Sequence, residues 1–203
     1  MLSPYSKLFA GVLLLDSLAS ASSIAFKEDY PEDTFSVSYD SANQEVTFTI
    51  TLKNTHYFGF GFGTSTMGTG NDMIMCTASS GSPTCSDMVS NGYATPTVDS
   101  NDNLTQSNSS SGDIDTYVIT RALDTGDSED YVIPLDTDFD FIWCLSVDTN
   151  DISQTHDYRQ AEIMEIEADG EWEIEGYEIP DAAAGLAGTA MASAIVTALL
   201  AFA

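Results

Sequence analysis

Apolar and polar residues alternate along most of this chain with a period of two. Phe35–Tyr39 (FSVSY) and Glu45–Leu52 (EVTFTITL) do so on either side of the turn-like DSANQ. That period places successive side chains on opposite faces of a β-strand. Further strands are predicted at Tyr57–Gly63, Asp72–Thr77, Ser86–Val89, Asp113–Leu123, Phe139–Val147 and Tyr158–Glu167. Phe139–Val147 (FDFIWCLSV) reads as a central strand, buried on both faces after Ile142. Glu162–Ile179 alternates acids with apolar residues and is interrupted at Gly170 and Gly176. Its first part is predicted as an edge strand whose charged outer face resists pairing. The remainder is read as a second short strand or a stalk. No segment before the C-terminal tail has a 3.6-residue period, so an all-β sandwich or barrel is predicted.

One strand has an unusual alternation. Tyr57–Cys76 reads YFGFGFGTSTMGTGNDMIMC. Phe58, Phe60 and Phe62 share one face, and Gly59, Gly61 and Gly63 leave the other nearly bare. Glycine weakens a strand, so three in register imply close approach of a ligand or of another backbone. Tyr57 falls on the glycine face by parity. The loop that follows is built of small residues around a single methionine, Met67. Met73, Met75 and Met88 read more simply as core filler.

Composition then bounds the setting. Residues 1–21 have the basic start (Lys7), apolar run (Leu8–Leu15) and Ala19-Ser20-Ala21 site of a secretory signal peptide. Residues 182–203 are uncharged and apolar, and small residues from Asp181 to Gly185 precede the most apolar part. Residues 181–203 are therefore expected to be a GPI-attachment signal or a transmembrane anchor. Residues 22–180 remain as a single domain with a short acidic stalk, on the extracellular face of a membrane. The net charge of −27, from 5 basic and 32 acidic residues, argues against nucleic acid or anionic lipid as partners. Cys76 and Cys85 flank a turn, SSGSPT, and are expected to form a disulfide. Cys144, inside an apolar run, is expected to be a buried free thiol. Asn103 and Asn108 head N-glycosylation sequons.

The order of motifs resembles the DOMON domain family, whose extracellular β-sandwich is related to the N-terminal region of dopamine β-monooxygenase. The motifs are YFGFGFG, the loop TSTMGTG, Asp72-Met73-Ile74-Met75, Ser86-Asp87, Gly92–Thr105, YVITRAL, FIWCLS and the lone histidine of THDYRQAEIMEI. The resemblance covers about Thr34–Glu167. It implies an immunoglobulin-like antiparallel sandwich of about ten strands that binds haem or carbohydrate. In the cytochrome branch, similar to the haem domain of cellobiose dehydrogenase, one Met and one His hold a b-type haem. Met67 and His156 match those positions. Methionine sulfur and imidazole are a known axial pair for haem iron. Gly59, Gly61 and Gly63 would then form the floor of the slot, with Tyr57 packed against the ring. His56 is first a turn-end residue and second a reserve ligand. Arg121 and Arg159 are the only basic residues in the second half of the chain available to meet haem carboxylates. No CxxCH motif is present for covalent haem attachment.

Other functions fit the residues less closely. A haem-free module for carbohydrate or another surface ligand would use exposed aromatics, with Tyr57, Tyr93 and Trp172 as candidates. A calcium-binding coat protein would use Asp136, Asp138, Asp140, Asp148, Asp151 and Asp157, though without EF-hand spacing. No G-x-S-x-G, HExxH or P-loop motif occurs. The chain therefore reads as an electron-transfer or binding domain rather than a stand-alone enzyme. A separate redox partner protein or a surface glycan is its expected counterpart.

Overall fold

Alternation along each segment is realised as strands, and long-range pairing assembles them into two antiparallel sheets. The structure is a computed structural model, and it describes residues 23–175. The expected signal peptide, the C-terminal anchor and the end of the stalk lie outside the described residues. Thirteen strands form: β1 (Ile24–Ala25), β2 (Thr34–Asp40), β3 (Glu45–Lys53), β4 (Tyr57–Phe62), β5 (Thr69–Thr77), β6 (Thr84–Asn91), β7 (Ala94–Val98), β8 (Thr105–Gln106), β9 (Ser109–Ser111), β10 (Ile114–Ala122), β11 (Phe139–Ser146), β12 (Tyr158–Ile166) and β13 (Trp172–Ile174). The strands that alternation did not predict are β1, β8 and β9, of two or three residues, and β7, which Pro96 interrupts.

One sheet has the order β1-β2-β3-β10-β8, with β9 also pairing β10. The other runs β13-β12-β11-β4-β5-β6-β7. The expected edge strand at Tyr158–Glu167 is therefore one place in from the edge. The short strand β13 covers it, pairing Met164 with Ile174 and Ile166 with Trp172. Trp172 is buried and meets Phe35 edge to face, so it is a core residue and not an exposed ligand-binding aromatic. No helix among the described residues is long and apolar enough to cross a membrane.

The core lies between the sheets. Val46, Phe48, Ile50 and Leu52 point inward from β3, and Tyr117 and Ile119 from β10. Phe58, Phe60 and Phe62 point inward from β4 and join a chain of ring contacts with Phe35, Phe48 and Phe141. Each buried phenylalanine contributes about 1.5–3 kcal/mol of transfer free energy. The disulfide between Cys76 and Cys85 forms as expected, across directly opposed positions of β5 and β6. Cys144 is a buried free thiol.

Two buried polar contacts tie distant segments together. His56 Nδ1 lies 2.6 Å from Asp33 Oδ2, and the ring meets Tyr30 edge to face. This fixes His56 in the framework, away from any ligand role. Arg121 reaches inward from β10 to Asp72 of β5, with Nη1 donating to Oδ2 at 2.7 Å. It is fully buried in this contact, so it is not free to meet an external carboxylate. Replacing Phe60, at the centre of the ring network, with alanine is expected to cost about 3–5 kcal/mol. Chemical denaturation followed by tryptophan fluorescence measures this loss.

Candidate functional site

The glycine face of β4 carries the surface that looks functional. Strand pairing sets Gly59 opposite Met75 on one side and Cys144 on the other. It likewise sets Gly61 opposite Met73 and Ile142. Opposed residues share a face, so these side chains all lie on the outside of the seven-stranded sheet. Met88 pairs with Met73 and extends the layer. Tyr57, Met73, Met75, Met88 and Cys144 form a second apolar cluster, against which Met67 and Ile152 pack. The methionines read as core filler are therefore not in the main core. They cover the glycine face.

The glycines have different duties within this layer. A Cβ on Gly59 would sit 2.2 Å from Met75 Sδ and 3.0 Å from Cys144 Sγ. A Cβ on Gly61 would meet the Asp72 carbonyl oxygen at 2.9 Å. Gly63 has φ +64°, and the space for its Cβ is filled by the Tyr131 ring at 2.2 Å. Only Gly59 faces the open cavity, while Gly61 and Gly63 admit close packing.

Over the methionine layer lies a cavity of about 650 Å³. The β4–β5 loop contributes Met67, and the β11–β12 loop contributes Ile152 and His156. Strand β12 contributes Arg159, and the β6–β7 turn contributes Tyr93. Met67 and His156, far apart in sequence, thus line one cavity, and Tyr57 lies on its wall. Met67 and His156 are half-buried, whereas Tyr93 is 85% exposed.

Both loops are held firmly by hydrogen bonds. Thr66 O accepts from Thr64 Oγ1 at 2.7 Å, Asn71 Nδ2 at 2.9 Å and Gly68 N at 2.8 Å. Gly68 O accepts from Ser90 Oγ at 2.7 Å. Met67 is bracketed by these contacts. On the other loop, the Tyr57 hydroxyl donates to Gln154 O at 2.8 Å. The Thr77 hydroxyl donates to Asn150 O. Asp157 Oδ2 accepts from Val147 N and Ser146 Oγ. Burial, with the Arg159 guanidinium as the next cause, holds the His156 imidazole below its usual pKa. The ring is therefore neutral near pH 7, the form that ligates metals. Burial pushes the Cys144 thiol up to about 12, so it stays protonated and unreactive.

A family model of the DOMON domain matches residues 29–146, more than half of the chain. The chain belongs to the DOMON domain family. The match includes Met67 and ends before the loop that carries His156. No curated protein sequence matches the chain. Two solved structures share the fold of this DOMON domain. The cytochrome domain of Myriococcum thermophilum cellobiose dehydrogenase is 18% identical, with a TM-score of 0.53 over 72% of this chain and 83% of that one. The cytochrome b domain of pyranose dehydrogenase from Coprinopsis cinerea is 16% identical, with a TM-score of 0.53 over 70% and 80%.

Several other expected residues fall elsewhere in the DOMON sandwich. Asn103 and Asn108 are half-buried, and their side-chain amides donate to Asp130 Oδ2 and to Pro83 O. The acids from Asp136 to Asp140 and from Asp148 to Asp157 form no grouped carboxylate site among the described residues. Asp151 and Asp157 instead accept backbone hydrogen bonds within their loop. Sequence reasoning missed Met73, Met75, Cys144 and Ile152 as parts of the site. Parity along β5 already put Met73 and Met75 on one face, but only the pairing with β4 shows which face that is.

The glycine contacts predict a separation of effects. Gly61→Ala drives a Cβ against backbone and is expected to lose about 1–3 kcal/mol of stability. Gly59→Ala displaces only the flexible end of Met75, toward the cavity. Its stability cost is expected to be smaller, below about 1 kcal/mol, with a narrowed cavity. Paired denaturation curves of the two variants measure the difference.

Proposed function

We propose that this DOMON domain binds a b-type haem in the cavity, with Met67 and His156 as its iron ligands. In this reading it passes single electrons to or from a separate redox partner protein. The observation that carries the proposal is the shared lining: a thioether and a neutral imidazole, on two braced loops, open onto one cavity floored by apolar side chains. The residues present fit the group. The floor of Met73, Met75 and Cys144 is apolar, and Arg159 on the wall supplies a cation for a haem carboxylate. A bound haem supplies a one-electron couple, and methionine ligation raises its potential.

The chain's own residues act by holding and excluding. Tyr57 fixes the loop that presents His156 through its bond to Gln154 O. The Thr66 and Gly68 carbonyl contacts fix the loop that presents Met67. The methionine layer excludes water from the floor, and the preset loops reduce the ordering cost of binding. The net charge of −27 favours a partner with a basic docking face. An extracellular, membrane-anchored location is part of the same proposal. It is supported by the signal-peptide pattern of residues 1–21, the apolar segment 181–203 and the disulfide between Cys76 and Cys85.

One observation favours a second reading, a haem-free module for carbohydrate or another surface ligand. Tyr93 stands exposed beside the cavity, where a ring would stack on a sugar. Glycan binding that survives Met67→Leu, by a chain that takes up no haem, would select this reading.

Absorption spectra test the haem proposal. The purified chain, incubated with haemin, is expected to show a Soret band that shifts on reduction. Met67→Leu and His156→Ala are each expected to abolish the six-coordinate spectrum. A wild-type chain with no Soret band after reconstitution overturns the proposal. Tyr57→Phe keeps the ring and loses the hydrogen bond to Gln154. It is expected to weaken haem retention by about 1 kcal/mol, roughly fivefold, measured by haem transfer to apomyoglobin.

A further inference from the structure

On the opposite side of β5 from the cavity, the sandwich encloses charge that the haem reading does not use. Asp72 on β5, Asp87 on β6 and Asp130 in the β10–β11 loop converge between the sheets. One carboxylate oxygen from each lies within 4.8 Å of the others. Asp72 and Asp87 are buried, and the Asp130 side chain is 2% exposed.

Known donors account for only part of this cluster. Asp72 Oδ2 accepts from Arg121 Nη1 at 2.7 Å and from Tyr131 N at 2.9 Å. Asp130 Oδ2 accepts from Thr125 Oγ1 at 2.6 Å and Asn103 Nδ2 at 3.0 Å, with Arg121 Nη2 at 3.7 Å. Asp87 Oδ2 accepts from Asn103 N at 3.2 Å. Asp72 Oδ1 and Asp87 Oδ1 are left buried with no hydrogen-bond partner. Nearby, Asp99, whose N–H donates to Asp87 O, leaves Oδ2 buried and unpartnered as well.

An unpaired buried carboxylate oxygen carries a large desolvation cost. Three carboxyl groups around one guanidinium leave an excess of two acids, the complement of a single divalent cation. The ligand atoms are hard oxygens on separate chain segments, an irregular set that suits Ca²⁺ better than the strict octahedron of Mg²⁺. We propose that Asp72, Asp87 and Asp130 form a Ca²⁺ site between the two sheets. Arg121 keeps Asp72 Oδ2, and the ion takes the orphan oxygens of Asp72 and Asp87 together with one carboxylate oxygen of Asp130. The site ties β5, β6 and the β10–β11 loop together. It also steadies Tyr131, whose ring fills the space over Gly63 at the start of the Met67 loop. It stands independently of what fills the cavity.

Calorimetry and thermal unfolding of the purified, chelator-treated chain test this at constant ionic strength. Titration with CaCl₂ is expected to show one saturable site and a midpoint that rises with calcium, as binding to the native state alone requires. Asp87→Asn and Asp130→Asn are each expected to weaken calcium binding by about tenfold or more. Asp138→Asn, on the surface, is expected to leave it unchanged. No saturable binding and an unmoved midpoint for the wild-type chain overturn the proposal. So does a calcium response that both Asp87→Asn and Asp130→Asn retain, which would place the ion elsewhere on the acidic surface. If Asp87→Asn fails to fold, Asp130→Asn and the wild-type titration still decide. A midpoint indifferent to calcium but raised by acid means that protons balance the cluster, which also overturns it.

Discussion

The structure depends on the two-faced alternation of β4, the middle strand of the seven-stranded sheet. Successive side chains must point to opposite faces, so Phe58, Phe60 and Phe62 commit one face to the core. The other face is left to glycine. Neighbouring strands then cover what β4 leaves bare, with Met73 and Met75 from β5 and Ile142 and Cys144 from β11. A larger side chain at Gly59 or Gly61 would collide with that cover. The same strand thus fixes the core and creates the apolar floor of the cavity.

Strand β5 repeats this division one step along. Asp72 points between the sheets to Arg121, and Met73, the next residue, points to the cavity floor. The electrostatic centre of the sandwich and the floor of the cavity are therefore one peptide bond apart. The Met67 loop begins beside Gly63, against Tyr131, and ends at β5. Its position is set by the framework at both ends. A short, braced loop of this kind presents a side chain with little ordering cost on binding, which suits a ligand-holding role better than a mobile lid would.

Much of this architecture was legible in the sequence where it depended on local pattern. FSVSY, EVTFTITL and YFGFGFG announced strands, and Cys76 and Cys85 announced a cross-strand bond. The failures share a physical cause: they needed register between distant segments. Met73 and Met75 have a readable parity, but only pairing with β4 turns them outward. Trp172 looked available beside charged residues, yet β13 pairs with β12 and buries it. Arg121 looked like a free cation until β10 and β5 were brought face to face. Asp72, Asp87 and Asp130 are far apart in the chain, and no spacing rule joins them. The convergence of Met67 and His156 on one cavity was approached through motif order and not through any property of either residue alone.

A comparison of the two outer faces gives the cavity its meaning. An antiparallel sandwich ordinarily solvates its outer faces, and the six-stranded sheet obeys. Thr47, Thr49 and Thr51 on β3 and Thr116 and Thr120 on β10 point outward, and Thr47 and Thr120 share a hydrogen bond of 2.7 Å. The seven-stranded sheet does not obey. Its outer face carries three methionines, a cysteine and a tyrosine, buried as a cluster under two loops. The burial of this cluster depends on the loops above it, and the cavity beneath them is not filled by the chain's own side chains. The loops that cover it add the half-buried Met67 and His156 where threonine or serine would have served a purely structural lid. A second apolar face, roofed by two braced loops and left hollow between them, has the shape and lining that the proposed occupant, apolar with a polar edge, requires.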